Sequence, residues 1–377
     1  AQKDIVEQRD HYDAVAFGGW AMDLHPADGI YSKHNSCTQW HGKGVYSIPY
    51  RCFYSKDLDN LFLAGRIISA SHVAFGSSRV MLTCAHGAQA VGKAASICIE
   101  QNCLPRDLSS KEKIKELQLA LNRDGQSIPR LETPDNEDLA RQAVVSTSST
   151  FQFKGFYPGN EWQTLRFGTA QLLPLKANEN YSFEFEVEAE EETSVEVQLK
   201  ASIACTHFTP DHVIDSQIFQ LKKGKQKLVF QTTKAQKTEH YAYCCIMKNE
   251  KVKVRLSDER VTGLMTVQNK VNKAVSNYGR QDPPADIAVD SFEFWTPERR
   301  PAGKNLALTL DRPIAAFGAD NLLNGQLRPE SHGKTNAWVA AMDDETPEVK
   351  LKWETPVDLK TIKLFFDCDF DHALETT

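Results

Sequence analysis

Three observations predict an α/β unit followed by all-β structure. Residues 60–65, Asn-Leu-Phe-Leu-Ala-Gly, form an apolar run ending in glycine, the pattern of a buried strand leaving a sheet. The stretch 79–101 lacks proline and carries Ala85, Ala88, Ala90, Gly92, Ala94 and Ala95, which suits a helix packed close against a flat surface. Beyond residue 146 the hydrophobic period changes to two, the period of a strand.

The chain has 377 residues, and single cores rarely grow past about 250–300 residues. Two or three domains are therefore expected. The α/β unit is assigned to 1–130. Its second helix, 110–121, opens at Ser110, carries Ile114, Leu117 and Leu121 at helical spacing, and stops before Asn122-Arg123-Asp124-Gly125. The polar, proline-containing stretch 131–146 is expected to be a linker.

A sandwich of two sheets is expected over 147–300. Tyr181, Phe183, Phe185 and Val187 alternate with polar residues, and Val195, Val197 and Leu199 do so again after a Glu-rich turn. Further strands are expected at 218–221 and 228–230 around Lys222-Lys223-Gly224-Lys225, at 240–247 and at 287–295. After the break at Thr296-Pro297-Glu298-Arg299-Arg300-Pro301, a third unit is assigned to 301–377, with strand-like 349–353 and 361–366. It is short for a complete sandwich.

Hydrophobic content of 41%, charged content of 25% and a net charge of −6 are those of an ordinary soluble protein and give no field to gather nucleic acid. No apolar run approaches the ~20 residues of a membrane helix. The start, AQKDIVEQRD, lacks the layout of a signal peptide, so export requires a signal upstream. The nine cysteines show no CxxC pair and read as buried thiols. Cys244 and Cys245 would point to opposite faces of a strand, so no disulfide between them is expected. His34 and His41 flank Cys37 at spacings of no metal motif, and no metal site is expected.

Residues 59–95 read DNLFLAGRIISASHVAFGSSRVMLTCAHGAQAVGKAA. As chemistry, this is a strand, a glycine turn, a loop of small and hydroxyl residues, and a helix start that gathers free N–H groups and the positive end of a dipole. The segment resembles the C-terminal flavin motif of FAD-dependent oxidoreductases, approximately DNLxxAGRxISxSHxAxGSxRVMxTCAxxGQAxGxAA. GGWAMDLHPADG at 18–29, YSIPYRCFYS at 46–55 and the Gly125-Gln126-Ser127-Ile128-Pro129 stop extend the likeness.

This resemblance implies FAD as cofactor and gives roles to particular residues. Gly65 and Arg66 would face the ribityl and ribose region, with glycine allowing close approach. The N–H groups of Val80 and Met81 would face the pyrimidine edge of the flavin ring, where reduction places negative charge. Ser77, Ser78 and Arg79 would contact cofactor or an anionic substrate group. His72 either exchanges protons during hydride transfer or packs against loop backbone. Asp23 and His25 are a second candidate pair, unless Asp23 serves only to hold its own loop.

Two departures stand out. His86-Gly87-Ala88-Gln89 displaces the family's glycine by one position, which puts the packing of that turn in question. The chain also has no strand followed by GxGxxG and a helix, the element that holds adenosine and pyrophosphate. The resemblance thus implies a fragment whose nucleotide-binding half is missing.

The β region resembles carbohydrate-binding jelly-roll modules, with Phe151, Phe153, Phe156, Tyr157 and Trp162 and a closing strand VDSFEFW. Residues 301–377 resemble the start of a discoidin-type, galactose-binding-like sandwich, with Asn321-Leu322-Leu323-Asn324-Gly325 and Trp338. The expected function is hydride transfer between flavin and a polar small molecule, carbohydrate-related in class, with a glycan as a further partner. The alternative is a non-catalytic glycan- or surface-binding protein with a vestigial flavin segment.

Overall fold

The structure is a computed structural model that describes residues 1–205, 207, 209–270, 280–283, 290–297, 303–328, 330–331 and 333–367. The chain divides into two compact units, Ala1–Glu137 with Val271–Phe294, and Asp138–Lys270 with Trp295–Thr377.

In the first unit, α1 (Gln2–Val6) precedes two short antiparallel pairs, β1 (Ala14–Gly18) with β4 (Tyr46–Pro49) and β2 (Met22–Leu24) with β3 (Thr38–Trp40). Three helices follow: α2 (His72–Ser78), α3 (Met81–Glu100) and α4 (Lys113–Arg123). Helices α3 and α4 pack on β1. α3 buries Gly87, Ala90, Ala94, Ile97 and Cys98, and α4 buries Ile114, Leu117 and Leu121. These spacings put one apolar stripe of each helix on the core.

The backbone of β1 is satisfied partly by side chains. The Gln118 amide donates to the Ala14 carbonyl at 2.9 Å, and the Gln126 amide donates to those of Val15 at 2.8 Å and His86 at 3.1 Å. Both glutamines are buried. Sheet carbonyls taken out of water need such partners.

The expected strand at 60–65 does not form. Its described pairing is a single antiparallel bridge between Tyr54 and Phe62, and Leu61 is 39% exposed. A strand is built from the hydrogen bonds of its neighbours, and none of the described strands lies alongside this run. The helix expected over 79–101 is interrupted at its start. Helix α2 ends at Ser78, Val80 is extended (φ −70°, ψ 148°), and α3 begins at Met81.

The second unit holds a β-sandwich. One sheet contains β8 (Thr169–Leu173), β10 (Thr193–Ala201), β11 (His212–Leu221), β13 (Ala242–Ile246), β15 (Thr266–Gln268) and β18 (Thr296–Pro297), in the order β11-β10-β13-β8-β15-β18. The other contains β6 (Phe153–Phe156), β7 (Trp162–Leu165), β9 (Ser182–Ala189), β12 (Gly224–Gln231), β14 (Asn249–Ser257), β19 (Asn305–Leu306) and β20 (Leu308–Ile314). Strand β9 is the hub of the second sheet: β12 runs its whole length on one edge, while β14 and β20 share the other.

The alternation read from the sequence is the alternation of burial. Phe183, Phe185, Val187 and Ala189 of β9 are core, and Glu184, Glu186 and Glu188 between them are partly exposed. Strand β13 is buried throughout, so Cys244 and Cys245 are both interior and both free thiols. Separately, β5 (Val144–Thr147), in the stretch expected to be a linker, pairs with Val349–Lys352.

Residues beyond 301 do not open a separate unit at that point. Strands β19 and β20 belong to the sandwich, and Leu306, Leu308, Ile314 and Phe317 are part of its core. The closing strand expected at 287–295 is also different. Residues 284–289 lie outside the described residues, and β16 (Arg280–Gln281) pairs with β17 (Phe292–Glu293) within the first unit. Residues 361–366 carry no strand, and the end of the chain from 368 is outside the described residues.

Candidate functional site

The motif residues lie on the turn Gly65–Ile67, on α2 and at the start of α3. The turn Gly65–Ile67 packs against α3. Gly65 has φ +65°, in the left-handed region, and a Cβ placed on it would meet no atom within 4 Å. It thus presents backbone to open space, and a side chain there would be strained. Arg66 is exposed and has no ion-pair or hydrogen-bond partner among the described residues.

Helix α2 is held by three contacts. Gly76 lies so close to β2 that an added Cβ would sit 2.8 Å from the Asp23 carbonyl oxygen. The Ser77 hydroxyl donates to the Trp20 carbonyl at 2.6 Å and meets the Tyr46 hydroxyl at 2.7 Å. Arg79, the residue after α2, donates to the Asp23 carbonyl at 3.2 Å and faces the Asp23 carboxylate at 3.6 Å. Burial pushes the Tyr46 phenol up to about 12, partly offset by Ser77, so the Ser77–Tyr46 contact stays neutral at ordinary pH.

The six motif positions after the glycine turn therefore differ in what they can offer. Ser77 is fully buried with its hydroxyl committed to the scaffold, which leaves it no free donor for a cofactor. Ser78 is also buried, and its hydroxyl has no hydrogen-bond partner. Val80 is the N-cap of α3, and no side chain caps the helix. Met81 and Leu82 are 87% and 85% exposed. A 20-residue helix thus begins with N–H groups that no cap satisfies, beside exposed apolar side chains and one orphaned hydroxyl. His72 is exposed at the opposite end of α2.

Asp23 stands beside His25, the residue paired with it in the sequence, and also meets Cys37 and Arg79. His25 Nε2 lies 3.5 Å from its carboxylate, while His25 Nδ1 meets the Ser36 carbonyl at 2.9 Å. The Cys37 thiol is raised by burial first and by the adjacent Asp23 carboxylate next, so it is a protonated thiol rather than a nucleophile. Asp23 and Arg79 lie 56 positions apart, so no local spacing announces that they meet. Asp23 thus contacts His25 within its own hairpin and Arg79 after α2.

His41 is not part of this cluster. Its ring stacks on Phe294 at 4.1 Å and 12°, and burial lowers its pKa to about 4. Among the described residues no group of three His, Cys, Asp or Glu could hold a metal ion. The displaced glycine of the next turn has its own partner: a Cβ on Gly87 would fall 2.6 Å from the Phe53 ring. Glycine at 87 lets that buried ring approach α3 closely.

In the second unit, Phe153 and Phe156 are fully buried, and the Trp162 ring carries Lys225 Nζ at 5.2 Å and the Arg255 guanidinium at 5.8 Å. These rings are core or cation-covered. Tyr157 is 62% exposed.

The comparisons with known proteins bear on the first unit through a family model. No curated protein matches the chain. Among solved structures, a chain described as "CBM4 structure and function" is 12% identical, covering 32% of this chain and 86% of its own, with a TM-score of 0.21. A second, described as "EclA C-terminal domain; sugar-binding protein", is also 12% identical, covering 36% and 83%, with a TM-score of 0.14. No helix among the described residues is long and apolar enough to cross a membrane. The family model of the FAD dependent oxidoreductases matches residues 1–121, the span that contains the turn at Gly65, the α2–α3 junction and the Asp23 cluster. Residues 1–121 are thus similar to the FAD dependent oxidoreductases, a family that implies a flavin cofactor.

Proposed function

We propose that the α2–α3 junction holds the ring and ribityl side of FAD, and that the chain acts as part of an oxidoreductase. The reaction is hydride transfer between flavin and a polar small molecule, carbohydrate-related in class. The observation that carries this reading is the uncapped start of α3 beside the orphaned Ser78 hydroxyl. Bound flavin supplies the hydride acceptor and donor.

The chain's own residues do the rest. The N–H groups at Val80 and Met81 form an electropositive edge, which favours negative charge on whatever lies against it. Gly65 gives close approach, and Arg66 supplies an unpaired guanidinium on the ribityl side. Asp23 fixes Arg79 at the junction. A fixed guanidinium orients an anionic group with less loss of side-chain freedom than a mobile one. His72, solvent-exposed, is the group placed to exchange protons with water.

The test is uptake of FAD by the purified chain, followed by flavin fluorescence and visible absorbance. Saturable uptake is expected, and Arg79→Ala should weaken it while the far-ultraviolet circular dichroism stays unchanged. A colourless chain that takes up no added FAD, or an Arg79→Ala chain that binds as well as the parent, contradicts the assignment.

A further inference from the structure

Helix α3 ends in a turn that brings two cysteines together. The Cys103 N–H donates to the Cys98 carbonyl at 3.0 Å, and the Asn102 N–H donates to the Ile99 carbonyl at 3.3 Å. Asn102 between them has φ +49°. This is the helix stop in which a left-handed residue closes the last turn with a six-to-one and a five-to-two hydrogen bond. In that stop the side chains at the two ends of the six-to-one bond pack on each other, usually as an apolar pair. Here both are thiols.

The surroundings differ for the two. Cys98 is buried, at 8% exposure, in the core of the first unit, and Cys103 is half-buried and packs against the same cluster. The Cys103 thiol is the neighbouring group that acts on that of Cys98. Burial, then the charge of Cys103, pushes the Cys98 thiol up to about 11, so it keeps its proton until that proton is handed to the leaving hydroxide.

We infer that Cys98 and Cys103 form a redox-active dithiol that closes to an intramolecular disulfide across the C-terminal stop of α3. The oxidant is a peroxide. The Cys103 thiolate attacks one peroxide oxygen, the O–O bond breaks, and hydroxide leaves to become water. Cys103 is then a sulfenic acid. The Cys98 sulfur attacks the Cys103 sulfur and displaces its hydroxide, which takes up the Cys98 proton and leaves as a second water. Two thiols lose two electrons, and peroxide gains them. A thiol reductant reverses the step by exchange. The helix stop holds the two backbones at the ends of one hydrogen bond, and the closure inferred here is a rotation of the two side chains.

Trypsin isolates the pair on one peptide, 94–106, because cleavage follows Lys93 and Arg106 and none occurs between. The whole chain is treated with hydrogen peroxide, blocked with iodoacetamide under denaturing conditions, digested and weighed. The expected product is peptide 94–106 lighter by two hydrogen atoms, unalkylated, and restored to two alkylatable thiols by dithiothreitol. In parallel, phenylarsine oxide, which needs two neighbouring thiols, should protect both cysteines of the untreated chain. Cys103→Ser, a change at a half-buried position, should abolish both signals with the circular dichroism unchanged. Cys103 carried to sulfinic or sulfonic acid while Cys98 remains alkylatable would overturn the inference. So would either cysteine found linked to a different peptide, or arsenical protection that survives in Cys103→Ser.

Discussion

A methyl group added at residue 76 would stand 2.8 Å from the Asp23 carbonyl oxygen, and one at residue 87 would stand 2.6 Å from the Phe53 ring. Two motif glycines therefore have packing reasons of opposite kinds. Gly76 meets backbone, which cannot yield, and it sets the approach that lets Arg79 reach Asp23. Gly87 meets a side chain, whose ring is itself fixed in the core. His41 carries a prediction at the same scale. Its folded pKa, about 4, lies below the unfolded value of 6.5. Between those values the unfolded chain holds a proton that the folded chain does not, so stability falls as pH drops from 6.5 towards 4. The full effect is at most about 3 kcal/mol. Chemical denaturation of the first unit at a series of pH values should show this slope, and His41→Phe, which keeps a ring against Phe294, should flatten it. An unchanged slope in the variant would assign the pH dependence to other groups.

At the scale of the element, α3 is stabilised everywhere except at its start. No side chain caps Val80, although a capping residue there is worth about 0.5–2 kcal/mol to a helix. Val80→Asp should therefore raise the thermal midpoint, and by filling the free N–H groups with its own carboxylate it should weaken flavin uptake about tenfold, equivalent to ~1.4 kcal/mol. Gain of stability without loss of uptake would show that the helix start is not where flavin sits. The body of this helix was readable from its small residues, and α4 from Ile114, Leu117 and Leu121. The interruption at Arg79 and Val80 was not, because it depends on Ser77 and Gly76 being pinned to a hairpin more than fifty residues earlier. The Asp23 cluster was hidden for the same reason. The apolar run at 60–65 carried a true strand pattern, yet pattern alone supplies no neighbouring strand.

For the whole molecule, the sandwich strands from β9 to β14 were legible because one face is buried and one is wet, as Phe183 and Glu184 illustrate. Strand β20 was not. Asp311-Arg312-Pro313 interrupts its alternation, and the sheet absorbs the interruption as a register shift between Thr309 and Ile314. A boundary drawn at residue 300 cuts the sandwich. A chain ending there should lose the β20 partner of β9 and the core residues Leu308, Ile314 and Phe317, and should give an aggregated or unfolded second unit by circular dichroism and size-exclusion chromatography. A monodisperse, cooperatively folding product would show that β19 and β20 are dispensable. In the first unit, the proposed site takes the ring and ribityl side of FAD and not its phosphates. Competition against bound FAD tests this most directly. Riboflavin should displace FAD from the chain at a concentration similar to that of FAD itself, and ADP should fail to displace it. Displacement by ADP with no effect of riboflavin would contradict the account.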